Sequence, residues 1–114
     1  MADPAGDVIA LVRDLMFVSR ITAGARAVGA NVRVVRNPAD LGAAAGRLLI
    51  VDLNLDGALE AASQWRKEHE SADIVGFVSH VDAQTIAQAR ALGIEKILAR
   101  SRFVQVIEDL LRPG

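Results

Sequence analysis

The chain has 114 residues, the size of one ordinary domain, and its composition of 52% hydrophobic but only 4% aromatic residues requires a core of small and aliphatic side chains. A formal net charge of −1 provides no excess positive charge for nucleic acid or anionic membranes, and the lack of cysteine excludes thiolate catalysis, cysteine-ligated metals and disulfides. Because no apolar run approaches the ~18 residues of a membrane span and the N-terminus lacks a signal-peptide pattern, we expect a single cytoplasmic domain over residues 1–114.

Apolar runs of strand length alternate with segments of helical period, a pattern typical of βα units that build a parallel sheet. The first strand is predicted at Val8–Val12. The helix after it ends near Gly29, a residue type that tolerates the left-handed conformation of a helix cap. The predicted inward face of this helix consists of Phe17, Ile21, Ala25 and Val28.

The second unit contains a short helix. Its strand is predicted at Val32–Val35. Asn37 and Pro38 then supply the N-cap and the first-turn proline of a helix that ends around Gly46. The third strand follows at Leu48–Asp52.

The third and fourth helices are predicted from their caps and inward faces. The third begins near Gly57, and the fourth lies between the N-cap Asp82 and Gly93. Between them runs the fourth strand, Asp73–Val78. The residues predicted to face the sheet are Ala58, Ala62 and Trp65 in the third helix and Ile86, Ala87 and Ala89 in the fourth.

The fifth strand is predicted at Lys96–Ala99, and Pro113 stops the helix that follows. The inward residues of this fifth helix are Phe103, Ile107, Leu110 and Leu111. Right-handed crossovers and helices on both faces leave few topologies for five such units. We therefore predict an α/β fold of the flavodoxin-like (βα)5 type, a doubly wound three-layer sandwich with five parallel strands in the order 2-1-3-4-5.

Four polar side chains end or follow strands of this sheet, so the topology brings them to one edge, where ligands of α/β folds collect. They are Asp14, Asp52, Ser79 and Arg100. Two carboxylates with hard oxygen ligands suit Mg²⁺, which keeps water or phosphate in its remaining positions. A serine hydroxyl and a guanidinium suit phosphoryl oxygens.

In this pattern the chain resembles the receiver domain of two-component response regulators (CheY-like), over roughly Asp7 to Leu111. The resemblance implies that Asp52 is the aspartate that accepts a phosphoryl group from a histidine kinase. It implies that Asp14, Asp52 and the backbone carbonyl of Asn54 hold Mg²⁺. Ser79 and Arg100 then stand where the family has a Thr or Ser and a lysine.

The chain also departs from the family pattern. Arg13 stands where the first acid of a pair belongs, which predicts weak Mg²⁺ binding. Arg100 replaces a lysine, and a planar guanidinium is not equivalent to a compact ammonium at a tight site. Ile97 stands at the position of the switch aromatic, and the loop over 53–56 is shorter than in the family. The resemblance is therefore to an atypical or pseudo-receiver, which leaves phosphorylation at Asp52 an open alternative.

Simpler roles are open for the same side chains. Asp14 suits the N-cap of the first helix, and Asp52 suits the cap of the turn after its strand. Ser79 suits an ordinary turn. Because of the charge at Arg13, an internal ion pair with Asp52 that replaces the metal is a further hypothesis.

We expect a signalling module, not an enzyme, that acts in two-component or phosphorelay signal transduction through protein–protein contacts. The resemblance implies a histidine kinase or a downstream effector as partner, and a symmetric dimer through the fourth helix, the fifth strand and the fifth helix. The alternative is a small α/β module that binds a phosphate-bearing metabolite at the same edge through Arg13, Ser79 and Arg100. Glycine-rich nucleotide loops do not follow the first strand.

Overall fold

Residues 7–78 and 82–112 of the chain are described by a computed structural model. The predicted site residue Ser79 and the predicted helix stop Pro113 lie outside the described residues, so both stay predictions.

Five parallel strands form one sheet in the order β2-β1-β3-β4-β5, which confirms the predicted fold and strand order. The strands are β1 (Val8–Leu11), β2 (Val32–Val35), β3 (Leu48–Asp52), β4 (Asp73–Val78) and β5 (Lys96–Ala99). Four of the five have the predicted bounds, whereas β1 is one residue shorter. Val12 is nevertheless fully buried and its N–H donates to the carbonyl of Val35, so the chain stays against the sheet beyond the last ladder residue.

Helices connect the strands. Within the described ranges they are α1 (Leu15–Val28), a 3₁₀ helix (Pro38–Ala43), α2 (Ala58–Glu68), α3 (Ala83–Ala91) and α4 (Arg100–Leu111). As predicted, α1 is followed by Gly29, whose φ of 72° places it in the left-handed region. None of the described helices is long and apolar enough to cross a bilayer.

The predicted short second helix is present as a six-residue 3₁₀ helix, but it ends at Ala43, before the predicted end around Gly46. The start is as predicted, since the side chain of Asn37 accepts from the N–H of Ala39 ahead of Pro38. This segment holds one buried large side chain, Leu41, so it offers no apolar stripe to hold an α-helix on the sheet.

The sheet is covered on both faces, which explains why β1 and β3 are almost continuously apolar. One face packs on α1 and α4 through the buried side chains Phe17, Ile21, Ala25, Phe103, Ile107 and Leu111. The other packs on the 3₁₀ helix, α2 and α3 through Leu41, Ala58, Ala62, Trp65 and Ala89. The indole N–H of Trp65 donates to the carbonyl of Ala44 at 2.8 Å, which fixes the chain after the 3₁₀ helix to α2.

The helix α3 buries less than predicted. Ala89 is fully buried and Ile86 is partly buried, as expected. The prediction for Ala87 is wrong, because this side chain is exposed. Ala87 lies two residues before Ala89, about 200° around the helix, and therefore on the opposite side.

Candidate functional site

Asp52 lies at the end of β3, beside β1, where the winding of the sheet reverses and ligands of this fold class bind. The residue is half-buried and is in register with Phe77 of the neighbouring strand β4. The N–H of Leu53 donates to the carbonyl of Phe77 at 3.0 Å, so the backbone remains tied to the sheet just past Asp52. The carboxyl group is thus presented from a rigid position.

The side chain of Asp52 shapes the loop that follows it. Its Oδ1 accepts the N–H of Asn54 at 3.0 Å, and its backbone carbonyl accepts the N–H of Leu55 at 3.2 Å. Both bonds close a tight turn that leads to Gly57, where φ is 82°. Asp52 therefore has the turn-capping role that the sequence left open, and its role as a phosphoacceptor stays a prediction.

Asp14 is the N-cap of α1. Its Oδ1 accepts the N–H of Met16 at 2.8 Å, and its backbone carbonyl accepts the N–H of Val18. The capping role left open by the sequence is confirmed, and metal binding by Asp14 stays a prediction. Asp14 is exposed, so one carboxylate can serve the helix and still meet a cation with its second oxygen.

The oxygen donors of this edge fit Mg²⁺ in chemistry, since the carboxylates of Asp14 and Asp52 and the carbonyl of Asn54 are all hard ligands. Among residues 7–78 and 82–112, no group of three or more His, Cys, Asp or Glu side chains is arranged to hold a metal ion. A cation here would therefore take much of its coordination from water or phosphoryl oxygens.

Arg13 is turned away from Asp52. Its side chain is exposed, and its Nε donates to the carbonyl of Arg36 at 3.4 Å. Arg36 follows β2 and Asp52 ends β3, and these two strands flank β1 on opposite sides. The hypothesis of an ion pair between Arg13 and Asp52 is therefore wrong.

Arg100, the first residue of α4, contacts α1. Its guanidinium carbon lies 5.2 Å from the ring centroid of Phe17, and its Nη2 lies 3.9 Å from the sulfur of Met16. A cation over an aromatic face is attracted by the ring quadrupole. This contact joins residues far apart in the chain, so no local pattern in the sequence indicates it.

Phe17 belongs to an aromatic cluster beneath the edge. Its ring centroid lies 4.8 Å from that of Phe77, and Phe77 in turn stacks on Phe103 at 4.4 Å and 7°. These are all three phenylalanines of the chain. They link α1, β4 and α4, so the position of Arg100 depends on the packing of three elements.

Ile97, at the predicted position of the switch aromatic, is half-buried in β5 and packs against the core on the α2 and α3 side. An aliphatic side chain there has no ring that could rotate between buried and exposed positions.

The short loop after Asp52 leaves a cavity of about 330 Å³ beside α3. The exposed carboxyl groups of Asp56 and Glu60 line it, as does Asp82. Asp82 caps α3 as predicted, since its Oδ1 accepts the N–H groups of Gln84 and Thr85.

Another cavity, of about 430 Å³, is remote from this site. It is lined by residues at the starts of β3, β4 and β5, among them Leu48, Asp73 and Lys96. Because parallel strands all start at one edge of the sheet and end at the other, this cavity and Asp52 lie at opposite edges.

Comparison with known proteins identifies the architecture. No protein-family profile and no curated protein matches the sequence. Among solved structures, a response regulator from Burkholderia pseudomallei with a phosphorylated aspartic acid, a calcium ion and citrate is similar, with a TM-score of 0.77, 21% identity, and coverage of 94% of this chain but 66% of that one. The fold is that of response regulator receiver domains.

Two further structures have the same receiver fold. The orphan response regulator HP1043 of H. pylori has a TM-score of 0.75 and 18% identity, with 97% of this chain and all of that chain covered. The Mn²⁺-bound form of the response regulator Rcp1 has a TM-score of 0.78 and 9% identity, with coverage of 92% and 91%. At such identities the similarity extends to the receiver fold and not to the roles of single residues.

Proposed function

We propose that this chain is a signalling module of the receiver type that acts by binding other proteins and does not depend on stable phosphorylation of Asp52. The receiver fold supports the general role. The observation that carries the second part is the position of Arg100, whose guanidinium lies on Phe17 and Met16 of α1.

The electrostatics of the edge explain why this position matters. Transfer of a phosphoryl group is catalysed almost entirely by positioning and by cations that neutralise the developing charge. Arg100 stands where the family lysine would supply one such cation, but its guanidinium is engaged with an aromatic ring. Arg13 stands where an acid would attract the metal, and its guanidinium is bound at the end of β2. Both changes disfavour a charged phosphoryl–metal pair at Asp52.

In this proposal the protein binds Mg²⁺ only weakly. Asp14, Asp52 and the carbonyl of Asn54 would hold it, and when bound it would neutralise phosphoryl oxygens. The Burkholderia structure contains both a phosphorylated aspartic acid and a calcium ion, so the receiver fold accommodates both groups. The weak binding in this chain comes from the loss of one carboxylate at Arg13.

The partners in this proposal are a histidine kinase or a downstream effector, and a second copy of the chain. Support for a dimer through α3, β5 and α4 comes from β5, an edge strand with two exposed and two half-buried residues. Its neighbour α3 has a single fully buried residue, Ala89, so much of the surface of this helix is available.

Binding of a phosphate-bearing metabolite has less support. It requires Arg13 and Arg100 to converge, but Arg13 binds at the end of β2 and Arg100 on α1. We therefore propose that the protein is a binding module and not an enzyme.

Intact mass spectrometry tests the proposal. The protein is incubated with a small phosphodonor and Mg²⁺, alongside Asp52→Asn. We expect no stable phosphoryl adduct and negligible Mg²⁺ affinity. A stable adduct that Asp52→Asn abolishes would contradict the proposal and establish an ordinary phosphorylation switch.

A further inference from the structure

The cavity of about 430 Å³ at the starts of β3, β4 and β5 lies at the opposite edge of the sheet from Asp52. Its volume is within the range of pockets that hold small molecules in proteins. Its floor is apolar, since the buried side chains of Leu48, Ile74 and Val75 line it. Leu110 of α4 also lines it and is half-buried. The cavity therefore offers an apolar surface to a small ligand.

Arg66, in the last turn of α2, lines the same cavity with a half-buried and fixed side chain. Its Nη1 donates to the carbonyl of Ala72 at 2.7 Å and to that of Glu70 at 3.3 Å. These bonds leave the donors on Nε and Nη2 for a ligand. Because the side chain is held in place in advance, less entropy is lost when it binds an anion.

Charges of both signs line the cavity without pairing with each other. Lys96, at the start of β5, supplies a second cation, and Asp73 and Glu95 supply exposed carboxylates. Among residues 7–78 and 82–112, neither of these carboxylates lies within 4 Å of the charged nitrogens of Arg66 or Lys96. A simple anion is repelled by the carboxylates and a simple cation by the basic groups, whereas a molecule with both charges pairs with both sets.

Two further charged residues of the cavity are already engaged. Nη2 of Arg47 donates to the carbonyl of Leu111 at 2.8 Å, and Asp109 forms an ion pair with Arg112 at 3.7 Å. Both contacts belong to the end of α4. The charges that remain for a ligand are therefore the two cations and the two carboxylates described above.

We propose that this cavity binds an apolar α-amino acid. The carboxylate of the ligand binds Arg66 and Lys96, and the guanidinium can hold it through two parallel hydrogen bonds. The ammonium group binds Asp73 and Glu95, and the side chain covers the apolar floor. The site goes beyond the proposed function, because it uses the edge of the sheet opposite to Asp52.

The test is an NMR titration of the ¹⁵N-labelled full chain with L-leucine. Three comparison compounds each lack one part of this ligand: isopentylamine lacks the carboxylate, isocaproate lacks the ammonium group, and glycine lacks the apolar side chain. We expect L-leucine to shift the amide signals at the starts of β3, β4 and β5 with a Kd of about 1 mM or below, and each comparison compound to bind at least about tenfold more weakly.

Three results of this titration would overturn the proposal. They are no binding of L-leucine at about 10 mM, equal binding of any comparison compound, and signal shifts confined to other elements.

The two lysines of the chain, Lys67 and Lys96, provide a matched pair of variants. Both side chains are exposed, and of the two only Lys96 lines the cavity. Lys96→Gln should weaken the binding of L-leucine at least about tenfold, whereas Lys67→Gln should bind it like the unchanged protein. If the two variants bind L-leucine equally well, the amino acid does not occupy this cavity and the proposal is wrong.

Removal of the carboxylates tests the contact with the ammonium group. Asp73→Asn with Glu95→Gln should abolish the preference for L-leucine over isocaproate, which has no ammonium group. The matched control is Asp40→Asn with Glu68→Gln, which should keep this preference. All four side chains are exposed, so neither double variant loses core packing. A preference that survives the removal of both cavity carboxylates would contradict the proposal. The phosphodonor experiment reports on Asp52 alone, so its outcome is independent of this one.

Discussion

Arg100 contacts Met16 although 84 positions separate the two residues in the chain. This contact holds the guanidinium of Arg100 against α1. The sequence predicted that Arg100 reaches the edge of the sheet, because the end of a strand is readable from an apolar run. It did not predict the direction of the side chain, which depends on Phe17 and on the packing of α1 against α4. Single-residue roles at this edge are set by such long-range packing.

Replacing Arg100 by lysine tests this directly. Lysine has a compact ammonium in place of the planar guanidinium. Arg100→Lys should therefore loosen the contact with Phe17 and lower the free energy of unfolding by about 0.5–1 kcal/mol. The freed ammonium should increase adduct formation with a phosphodonor and Mg²⁺. Arg102→Lys, which changes the same groups two residues away, should alter neither quantity. Identical behaviour of the two variants in urea unfolding and mass spectrometry would contradict a specific role for Arg100.

Asp14 has two separable roles, one in capping and one predicted in metal binding. Asparagine caps helices as well as aspartate, whereas alanine does not. Asp14→Ala should therefore lower the free energy of unfolding by about 1 kcal/mol, and Asp14→Asn should change it little. In the Arg13→Asp background, in which we expect measurable Mg²⁺ binding, both should remove the Mg²⁺ affinity. Asp82→Asn, at the cap of α3, is the control and should leave Mg²⁺ binding unchanged. Calorimetric titration measures the Mg²⁺ affinity of each variant.

Among the elements, the sequence predicted those with strong periodicity and missed those without it. The strands β2 to β5 have the expected bounds because each is an apolar run bounded by polar or turn residues. The segment after Pro38 has a clear start but a single buried large residue, so its first turn was predictable and its helix type was not. The weak amphipathicity of α3 likewise gave the wrong position for Ala87.

The contact between α1 and α4 gives a prediction about helix packing. Gly24→Ala favours the helical backbone, but its Cβ would lie 2.7 Å from Cγ2 of Ile107, a stiff β-branched side chain. The overlap should dominate, with a net loss of about 1–2 kcal/mol in the free energy of unfolding. Gly42→Ala, where no atom lies within 4 Å of the new Cβ, should be neutral or stabilising. Equal stabilities of the two variants in urea unfolding would contradict close packing at Gly24.

At the scale of the whole molecule, the sheet order separates charges that are close in sequence. Arg13 and Asp14 are neighbours in the chain, yet Arg13 binds the end of β2 while Asp14 caps α1. The sequence predicted that both would lie at the functional edge. Which of them affects a cation at Asp52 depends on the side of β1 to which each side chain turns, and only the folded molecule defines this.

Restoring the missing acid tests that separation through the stability of the whole protein. A ligand that binds only the folded state raises its melting temperature by mass action. We expect millimolar Mg²⁺ to leave the melting temperature of the unchanged protein almost constant and to raise that of Arg13→Asp by about 4 °C or more. Arg33→Asp, on the edge strand β2, is the matched control, because each variant loses one positive and gains one negative charge, which takes the net charge from −1 to −3. If Mg²⁺ raises the melting temperature of both variants equally, general charge repulsion explains the rise and the prediction fails. A rise limited to Arg13→Asp shows that Arg13 is what weakens the metal site beside Asp52.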